Sequence, residues 1–147
     1  MANNISIGNC GEYFVAAELE RRGFSVAVPM SNTPNFDVLA ICRKNNKQVA
    51  IQVKTTKSGE LKWMLDRKNE SLEGENIYYI FVHLHELGTP EYFIIPSNKV
   101  AKIVRDGHAY WLTQLDRKGN PHKDSNVRTF FITKDLENYK DAWEILE

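Results

Sequence analysis

The sequence has few cysteines, no long apolar run and no net charge. Its 147 residues include two cysteines, Cys10 and Cys42, which are too few for a disulfide framework or a four-cysteine zinc site. No stretch approaches the ~20 apolar residues that span a bilayer, and the first residues lack the basic and apolar pattern of a signal peptide. We therefore expect a cytoplasmic protein with reduced thiols and no membrane association.

Long linkers rich in proline, glycine or serine, internal repeats and low-complexity tracts are also missing. The composition, with 42% hydrophobic and 26% charged residues, is that of a globular protein. A chain of 147 residues suits one ordinary domain. We therefore expect a single domain over residues 1–147.

The zero net charge hides one basic segment. Residues 43–68 carry eight lysines and arginines against two acidic residues, whereas the segments on both sides are net acidic. One basic segment in a neutral protein suits local contact with a polyanion. It argues against a protein that coats nucleic acid through a high overall positive charge. A solvated lysine-rich hairpin is the alternative that charge alone leaves open.

Hydrophobic periodicity predicts helices flanking a run of strands. The predicted helices cover residues 8–22, 97–105 and 136–146, with Gly23 ending the first and Ser97 capping the second. The predicted strands cover residues 24–28, 36–42, 49–54, 77–84, 92–95 and 130–132. Residues 31–35 are expected to form a loop, and residues 61–70 are ambiguous. The order indicates an α/β fold with a mixed sheet of about four to five strands flanked by helices.

The second and third strands are predicted to form a hairpin that aligns three polar residues. A two-residue turn at Asn45-Asn46 would place Asp37 opposite Lys54. Opposed residues, and residues two apart on one strand, project to the same face of a sheet. We therefore expect Asp37, Gln52 and Lys54 on one face, in a pairing that a one-residue slip would destroy.

Glu12 is the fourth member of this set. It precedes Val15 and Ala16 by one helical turn and Leu19 by two, so it lies on the stripe expected to face the sheet. A carboxylate on such a stripe is costly unless it is paired, hydrogen-bonded or bound to a metal. We therefore expect Glu12 on the same face as Asp37, Gln52 and Lys54.

Four such residues suit metal-assisted hydrolysis of a phosphodiester. Mg²⁺ prefers oxygen ligands and keeps several waters, so Asp37 and the Gln52 carbonyl suffice as ligands, with Glu12 on a second metal or a metal-bound water. Lys54 would orient or help to deprotonate the attacking water, or offset charge on the phosphate. The alternative for each residue by itself is an ordinary turn or solvated strand residue.

These residues resemble the PD-(D/E)xK nuclease superfamily, which has the restriction-endonuclease-like fold. Its pattern is a helix with a glutamate, a strand with an aspartate and a strand with an acidic-x-lysine triplet. The matching residues are Gly11-Glu12, Asp37 and Gln52-Val53-Lys54. Phe36 replaces the proline before the aspartate, and Gln52 replaces the acidic residue, which removes one charge from the metal site. Gln-x-Lys branches of the superfamily are considered active.

The whole chain also resembles a broadly distributed bacterial family of small domains of this kind. The matching features are the stretch NTPNFDVLAI, the IQVKT strand, Lys62-Trp63, residues 90–97 (PEYFIIPS) and Trp143. The resemblance implies a DNA endonuclease that uses Mg²⁺ or Mn²⁺ and has Glu12, Asp37, Gln52 and Lys54 as its site. It also implies a homodimer as one way for a chain with a single site to cut both strands.

Several further residues are candidates for binding. Those expected to contact nucleic acid are basic residues of the central segment together with one aromatic: Lys44, Lys47, Lys57, Lys62, Trp63, Arg67 and Lys68. Trp63 suits stacking on a base and capping of the core equally well. His83 and His85 share a strand face but lack a third ligand at recognisable spacing, and no phosphate-binding or nucleotide-cofactor motif is present.

We therefore predict a metal-dependent DNA endonuclease that hydrolyses phosphodiester bonds. The rival prediction is a non-catalytic module of the same fold that binds DNA or a protein partner, such as an accessory or immunity-type interaction protein. The two differ in whether metal binding depends on Asp37.

Overall fold

A five-stranded mixed sheet forms the centre of the protein. The structure is a computed structural model that describes residues 4–29 and 36–147. In chain order its elements are α1 (Asn4–Arg21), β1 (Phe24–Ala27), β2 (Val38–Cys42), β3 (Gln48–Thr56), β4 (Lys62–Asp66), β5 (Ile77–His83), β6 (Glu91–Pro96), α2 (Ser97–Leu112) and β7 (Val127–Phe131). The strand order is β1-β2-β3-β5-β6, with β3 and β5 parallel and the other neighbours antiparallel. The predicted α/β class, with a mixed sheet of about four to five strands flanked by helices, is confirmed.

Each face of this sheet is covered by its own hydrophobic cluster. On one face, α1 packs Leu19 against inward residues of β2 and β3 such as Val53. On the other face, α2 and the two-stranded sheet β4–β7 pack Val100 and Trp63 around Phe81 of β5. Each fully buried side chain of this kind contributes roughly 1.5–3 kcal/mol of transfer free energy. The two clusters together fix β3 and β5 as the central pair of the fold.

The helices largely follow the predicted pattern. α1 begins four residues before the predicted start and ends at Arg21, where Gly23 takes a φ of +92°. α2 continues to Leu112, beyond the predicted end at residue 105. Within residues 4–29 and 36–147, neither helix combines the length and apolar character that crossing a membrane requires.

The β2–β3 hairpin has a longer turn than predicted. Val38 lies opposite Ile51, and the backbone N–H of Cys42 donates to the carbonyl of Lys47 at 2.9 Å. Residues 43–46 therefore form the turn, with Asn46 at a φ of +61°, in place of a two-residue turn. The predicted pairing was wrong by two residues.

This error does not change which side chains share a face. Asp37 comes immediately before β2, and its N–H donates to the carbonyl of Ile51 at 2.9 Å, so it lies beside Gln52 rather than Lys54. Side-chain direction repeats every two residues along a strand, and a shift of two residues preserves it. Asp37, Gln52 and Lys54 consequently all project to the face opposite α1.

The predicted helix over 136–146 is wrong. Two 3₁₀ turns, Lys134–Tyr139 and Trp143–Leu146, occupy this segment. Between them Lys140 forms an isolated bridge to β6, and the N–H of Asp141, at a φ of +52°, donates to the carbonyl of Tyr92 at 2.9 Å. Pairing with the edge of the sheet takes the backbone groups that a continuous helix would need.

Three other details differ from the expectations or complete them. Ser97 is the first residue of α2 instead of its cap, and its buried hydroxyl contacts the backbone of Gly74. The ambiguous residues 61–70 form β4 followed by the 3₁₀ turn Arg67–Glu70. The predicted loop at 31–35 lies outside the described residues.

Gly11 permits the closest approach between α1 and β3. A methyl group at residue 11 would lie 1.9 Å from Oγ1 and 3.0 Å from Cβ of Thr55. Rotation of the threonine moves Oγ1 but leaves its Cβ in place, so the helix itself would have to shift. We predict that Gly11→Ala lowers the free energy of unfolding by about 1–3 kcal/mol, because overpacking outweighs the better helix propensity of alanine. Urea denaturation of purified protein measures this change.

Gly8 provides the matched control in the same helix. Nothing lies within 4 Å of the position that a Cβ at Gly8 would take. Gly8→Ala should therefore be neutral or stabilising by up to about 1 kcal/mol. Equal stability of the two variants would contradict the close approach.

Candidate active site

The carboxylate of Asp37 is anchored to β3 by two hydrogen bonds. Its Oδ2 accepts from the backbone N–H of Val53 at 2.8 Å and also from Nε2 of Gln52. The Gln52 side chain is buried, with 8% of the residue exposed. Because both donors lie on β3, the strand pairing itself fixes the position of this carboxylate.

Burial disfavours the ionised form of the Asp37 carboxyl. Desolvation raises its pKa above the usual value, and the N–H of Val53, the charge of Lys54 and the Gln52 amide only partly oppose this effect. Lys68, which follows β4, also lowers the pKa by its charge. A cation placed at this carboxylate would favour its ionised form, since metal ions bind carboxylates and not carboxylic acids.

Glu12 approaches Asp37 from α1, on the other side of the sheet. Burial raises the pKa of the half-buried Glu12 carboxyl, and the negative charge of Asp37 raises it further. The two carboxylates are thus close enough to repel each other although they come from opposite faces. Sequence reasoning placed Glu12 near this site but on the same face as Asp37, and the structure brings it there from the helix side.

Lys54 is the partly buried cation of the group. It lies two residues after Gln52 on β3, on the same face. Burial lowers the pKa of its ammonium group and the charge of Lys68 lowers it further, while Asp37 and Asp66 act in the opposite direction. A lysine whose pKa is lowered can accept or relay a proton more readily than an exposed one.

Three residues that sequence reasoning missed support this face of the sheet. Asn69 donates from Nδ2 to the Tyr79 hydroxyl at 2.8 Å, and its Oδ1 accepts from the N–H of Asp66 at 2.9 Å. Tyr79 pairs with Gln52 across the parallel strands, and burial raises its pKa to about 12. Asp66 and Asn69 form a reciprocal cap on the 3₁₀ turn Arg67–Glu70. An aspartate followed three residues later by an asparagine is the signal that would have indicated this turn.

One of the residues predicted to bind nucleic acid lies in the core. Trp63 is 2% exposed, and its indole N–H donates to the carbonyl of Val82 at 3.1 Å. Its ring packs against Phe81, with 5.2 Å between ring centroids. Stacking on a base requires a free ring face, so the prediction that Trp63 binds nucleic acid is wrong and its alternative, capping of the core, is correct.

The predicted basic residues divide between two ends of the sheet. Lys47 donates to the carbonyl of Glu147 at 2.9 Å, and Lys44 forms an ion pair with the Glu147 side chain at 3.6 Å. Lys47 precedes Gln52, the residue beside Asp37, by five residues of extended chain, which corresponds to about 17 Å. The end of the hairpin that carries Lys44 and Lys47 is therefore remote from Asp37.

Four basic residues belong to the segment that follows Lys54. Lys57 is exposed in the loop after β3, and Nζ of Lys62 lies 5.6 Å from the ring centroid of Phe131. Arg67 forms an ion pair with Asp124 at 2.8 Å. Lys68 lies close enough to Asp37 and Lys54 to shift their pKa values. The members of this group are Lys57, Lys62, Arg67 and Lys68.

Glu91 is the third potential ligand that the sequence did not reveal for His83 and His85. His83 Nδ1 and His85 Nε2 both contact Oε2 of Glu91, at 3.1 and 2.8 Å. Among the described residues, these three side chains form a group of nitrogen and oxygen donors with the spacing needed to hold a metal ion. They lie at the end of β5, apart from Asp37.

Comparison with known proteins identifies the fold. No protein-family model matches this sequence, and no curated protein sequence matches it. The bacterial homing endonuclease I-Ssp6803I superposes with a TM-score of 0.60 at 12% identity, over 99% of this chain and 93% of that one. Hjc, a Holliday junction resolvase from the archaeal hyperthermophile Archaeoglobus fulgidus, superposes with a TM-score of 0.51 at 14% identity, over 90% of this chain and 88% of that one.

Both of these proteins are restriction-endonuclease-like nucleases. The likeness extends over nearly the whole of each chain, so it concerns the arrangement of the entire domain and not one shared motif. This protein therefore has the restriction-endonuclease-like fold that the sequence predicted.

Proposed function

We propose that this protein is a metal-dependent endonuclease that hydrolyses phosphodiester bonds in DNA, with Mg²⁺ or Mn²⁺ as its cofactor. The observation that carries the proposal is the pair of half-buried carboxylates, Asp37 and Glu12, whose pKa values are both raised by burial and which lie beside the partly buried Lys54. The names of the structural neighbours, a homing endonuclease and a junction resolvase, agree with DNA as the substrate class.

The donor atoms of the site suit a hard divalent cation. Asp37 and Glu12 supply carboxylate oxygens, and Gln52, whose Nε2 is used on Asp37, retains Oε1 as a neutral oxygen donor. Mg²⁺ and Mn²⁺ prefer such oxygen ligands and keep several waters. When bound, the cation supplies Lewis acidity: it lowers the pKa of a bound water and neutralises charge on the attacked phosphate.

Asp37 and Lys54 would have different roles in the proposed hydrolysis. Asp37 is held by the N–H of Val53, so it can act as the fixed ligand of the site. Lys54 has its pKa lowered by burial, which suits it to orient or help to deprotonate the attacking water, or to offset charge on the phosphate. Lys68 adds a second positive charge to the same side.

We propose that DNA approaches along the segment that follows Lys54. The basic residues on this path are Lys57, Lys62, Arg67 and Lys68. Contacts of this kind bind phosphates and confer salt-dependent affinity without reading sequence. Lys44 and Lys47 would reach only DNA that extends to the other end of the sheet. A homodimer and a cytoplasmic location stay predictions.

One observation favours the rival function, a non-catalytic module that binds DNA or protein. Gln52 donates to Asp37, so this carboxylate already has a satisfied hydrogen bond from the position where active enzymes commonly carry a second acidic residue. A site that is complete without a metal has less need to bind one. The cleavage assay below separates the two functions.

We predict that the wild-type protein cuts DNA in the presence of Mg²⁺ or Mn²⁺ and that Asp37→Ala and Lys54→Ala do not. Loss of Asp37 removes the central ligand, and loss of a general acid or base costs about 100-fold or more in rate. Single-stranded, duplex and branched DNA should each be tested, with gel electrophoresis of the products as the measurement.

The exposed ion pair of Lys102 and Asp106 on α2 offers matched controls. Lys102→Ala and Asp106→Ala remove the same side-chain types from the surface and should leave the rate unchanged. If well-folded wild-type protein cuts none of the three substrates with either metal, the non-catalytic module becomes the better description.

We predict that Gln52→Glu strengthens metal binding and weakens the metal-free fold. A glutamate here replaces a hydrogen-bond donor to Asp37 by a like charge, which a divalent cation would neutralise. The measurement is the melting temperature as a function of Mg²⁺ concentration. The variant should melt below wild type without Mg²⁺ and show the larger rise with it. Gln48→Glu, on the exposed start of β3, is the control and should show neither effect.

We predict that Asp37→Asn stabilises the metal-free protein at neutral pH. The folded-state pKa of Asp37 is raised, so its ionisation costs stability as the pH rises from the usual carboxyl value through the raised one. The variant should therefore melt higher than wild type at neutral pH, and the difference should vanish at acidic pH, below both values. Asp124 has a lowered pKa, chiefly through its hydrogen bond with His108, so Asp124→Asn should give no such stabilisation. Equal pH profiles for wild type and Asp37→Asn would contradict the prediction.

A further inference from the structure

His83, His85 and Glu91 meet at the end of the central sheet. His83 is the last residue of β5 and pairs directly with Glu91, the first residue of β6. His85 follows two residues later, and its ring centroid lies 4.3 Å from that of His83. The donor atoms of all three side chains lie within 4.8 Å of one another. This group shares no residue with the site around Asp37.

Both ring nitrogens of the buried His83 face acceptor atoms. Nε2 lies 2.7 Å from the carbonyl oxygen of Ser58, and Nδ1 lies 3.1 Å from Oε2 of Glu91. A neutral imidazole has one N–H, so it can donate to only one of them. If Nε2–H donates to Ser58, the lone pair of Nδ1 faces a carboxylate. A positive charge between Nδ1 and Oε2 would turn this repulsion into attraction.

A second contact engages the other carboxylate oxygen of Glu91. Nζ of Lys140 donates to Oε1. Lys140 therefore neutralises one oxygen and leaves Oε2 as the atom that both histidines share.

We propose that Nδ1 of His83, Nε2 of His85 and Oε2 of Glu91 bind a divalent transition-metal ion of the Zn²⁺ class. Zinc binds imidazole nitrogen and carboxylate oxygen at about 2.0–2.2 Å, which separates neighbouring ligand atoms by roughly 3.4 Å in a tetrahedron. The contacts of 3.1 and 2.8 Å to Oε2 would have to open by about 0.3 and 0.6 Å to reach this spacing.

The surroundings complete such a site. The carbonyl of Ser58 orients His83 in the way that metal-binding histidines are commonly oriented by a second hydrogen bond. Both histidines also line a surface cavity of about 680 Å³, through which a water can reach the fourth position. Imidazole favours Zn²⁺, Co²⁺ and Ni²⁺ over Mg²⁺, so this site and the Asp37 site select different ions.

The ion would connect the loop after β3 to the end of β5. Ser58 lies four residues after Lys54, in the loop that follows β3, and its carbonyl oxygen contacts the histidine that would bind the metal. An ion that binds the folded protein and not the unfolded chain stabilises the fold in proportion to the logarithm of its concentration. We therefore expect bound metal to raise the melting temperature and to restrain the loop at residues 57–61.

The test is a calorimetric titration of the tag-free, full-length protein with Zn²⁺, with Co²⁺ absorption as a second readout. We expect one Zn²⁺ per chain, the visible bands of low-coordinate Co²⁺ and a rise in melting temperature. His85 is exposed, so His85→Gln should fold, and Glu91→Gln replaces the carboxylate ligand by a weaker, neutral amide oxygen. Each should weaken binding by at least about tenfold. His122→Gln, which changes a histidine outside the cluster, should bind as wild type does.

Asp37→Asn separates this proposal from the proposed nuclease function. It should lose any response to Mg²⁺ and keep the Zn²⁺ site, since it changes no residue of the cluster. The absence of Zn²⁺ binding by wild type would overturn the proposal, and so would equal binding by wild type, His85→Gln and Glu91→Gln. Failure of DNA cleavage, by contrast, would overturn only the nuclease function.

Discussion

The two faces of β3 impose the constraint on which the rest of the structure depends. One face packs Ile51 and Val53 beneath α1, and the other carries Gln52 and Lys54. A strand cannot shift by one residue without exchanging these faces, so the core under α1 fixes the register of the polar site. The close contact at Gly11 extends the same constraint to the helix and thereby to the neighbouring Glu12.

The candidate active site is costly to the fold in its metal-free form. Asp37 and Glu12 both have raised pKa values, chiefly because burial penalises their charged forms, and Lys54 has a lowered one for the same reason. Packing alone does not explain three ionisable side chains whose charged forms are all disfavoured by burial. Apolar residues would fill the same space at a lower cost in folding free energy. Such clusters are found where chemistry requires them, although structural ion-pair networks also shift pKa values.

The sequence was most informative where period-two alternation carried the argument. Asp37, Gln52 and Lys54 share a face although the predicted turn was two residues too short, because a slip of two preserves side-chain direction. Interactions between distant segments were not predictable in this way. Lys140 pairs with β6, which prevents the helix that local periodicity favoured. Burial of Trp63 depends on the β4–β7 sheet, which the sequence of residues 61–70 did not indicate.

The role of Gln52 is best understood beside the histidine cluster. At Asp37 the glutamine supplies a neutral hydrogen bond, which lowers the charge available to a metal but satisfies the carboxylate when the metal is absent. At His83 the arrangement differs, because both ring nitrogens face acceptor oxygens and a neutral imidazole can donate to only one of them. The arrangement at Asp37 suits a weakly bound ion that exchanges with substrate. The arrangement at His83 favours a tightly bound ion. The loop that follows β3 contains Ser58 and connects the two sites, so an ion bound at the histidines would restrain the end of the strand that carries Lys54.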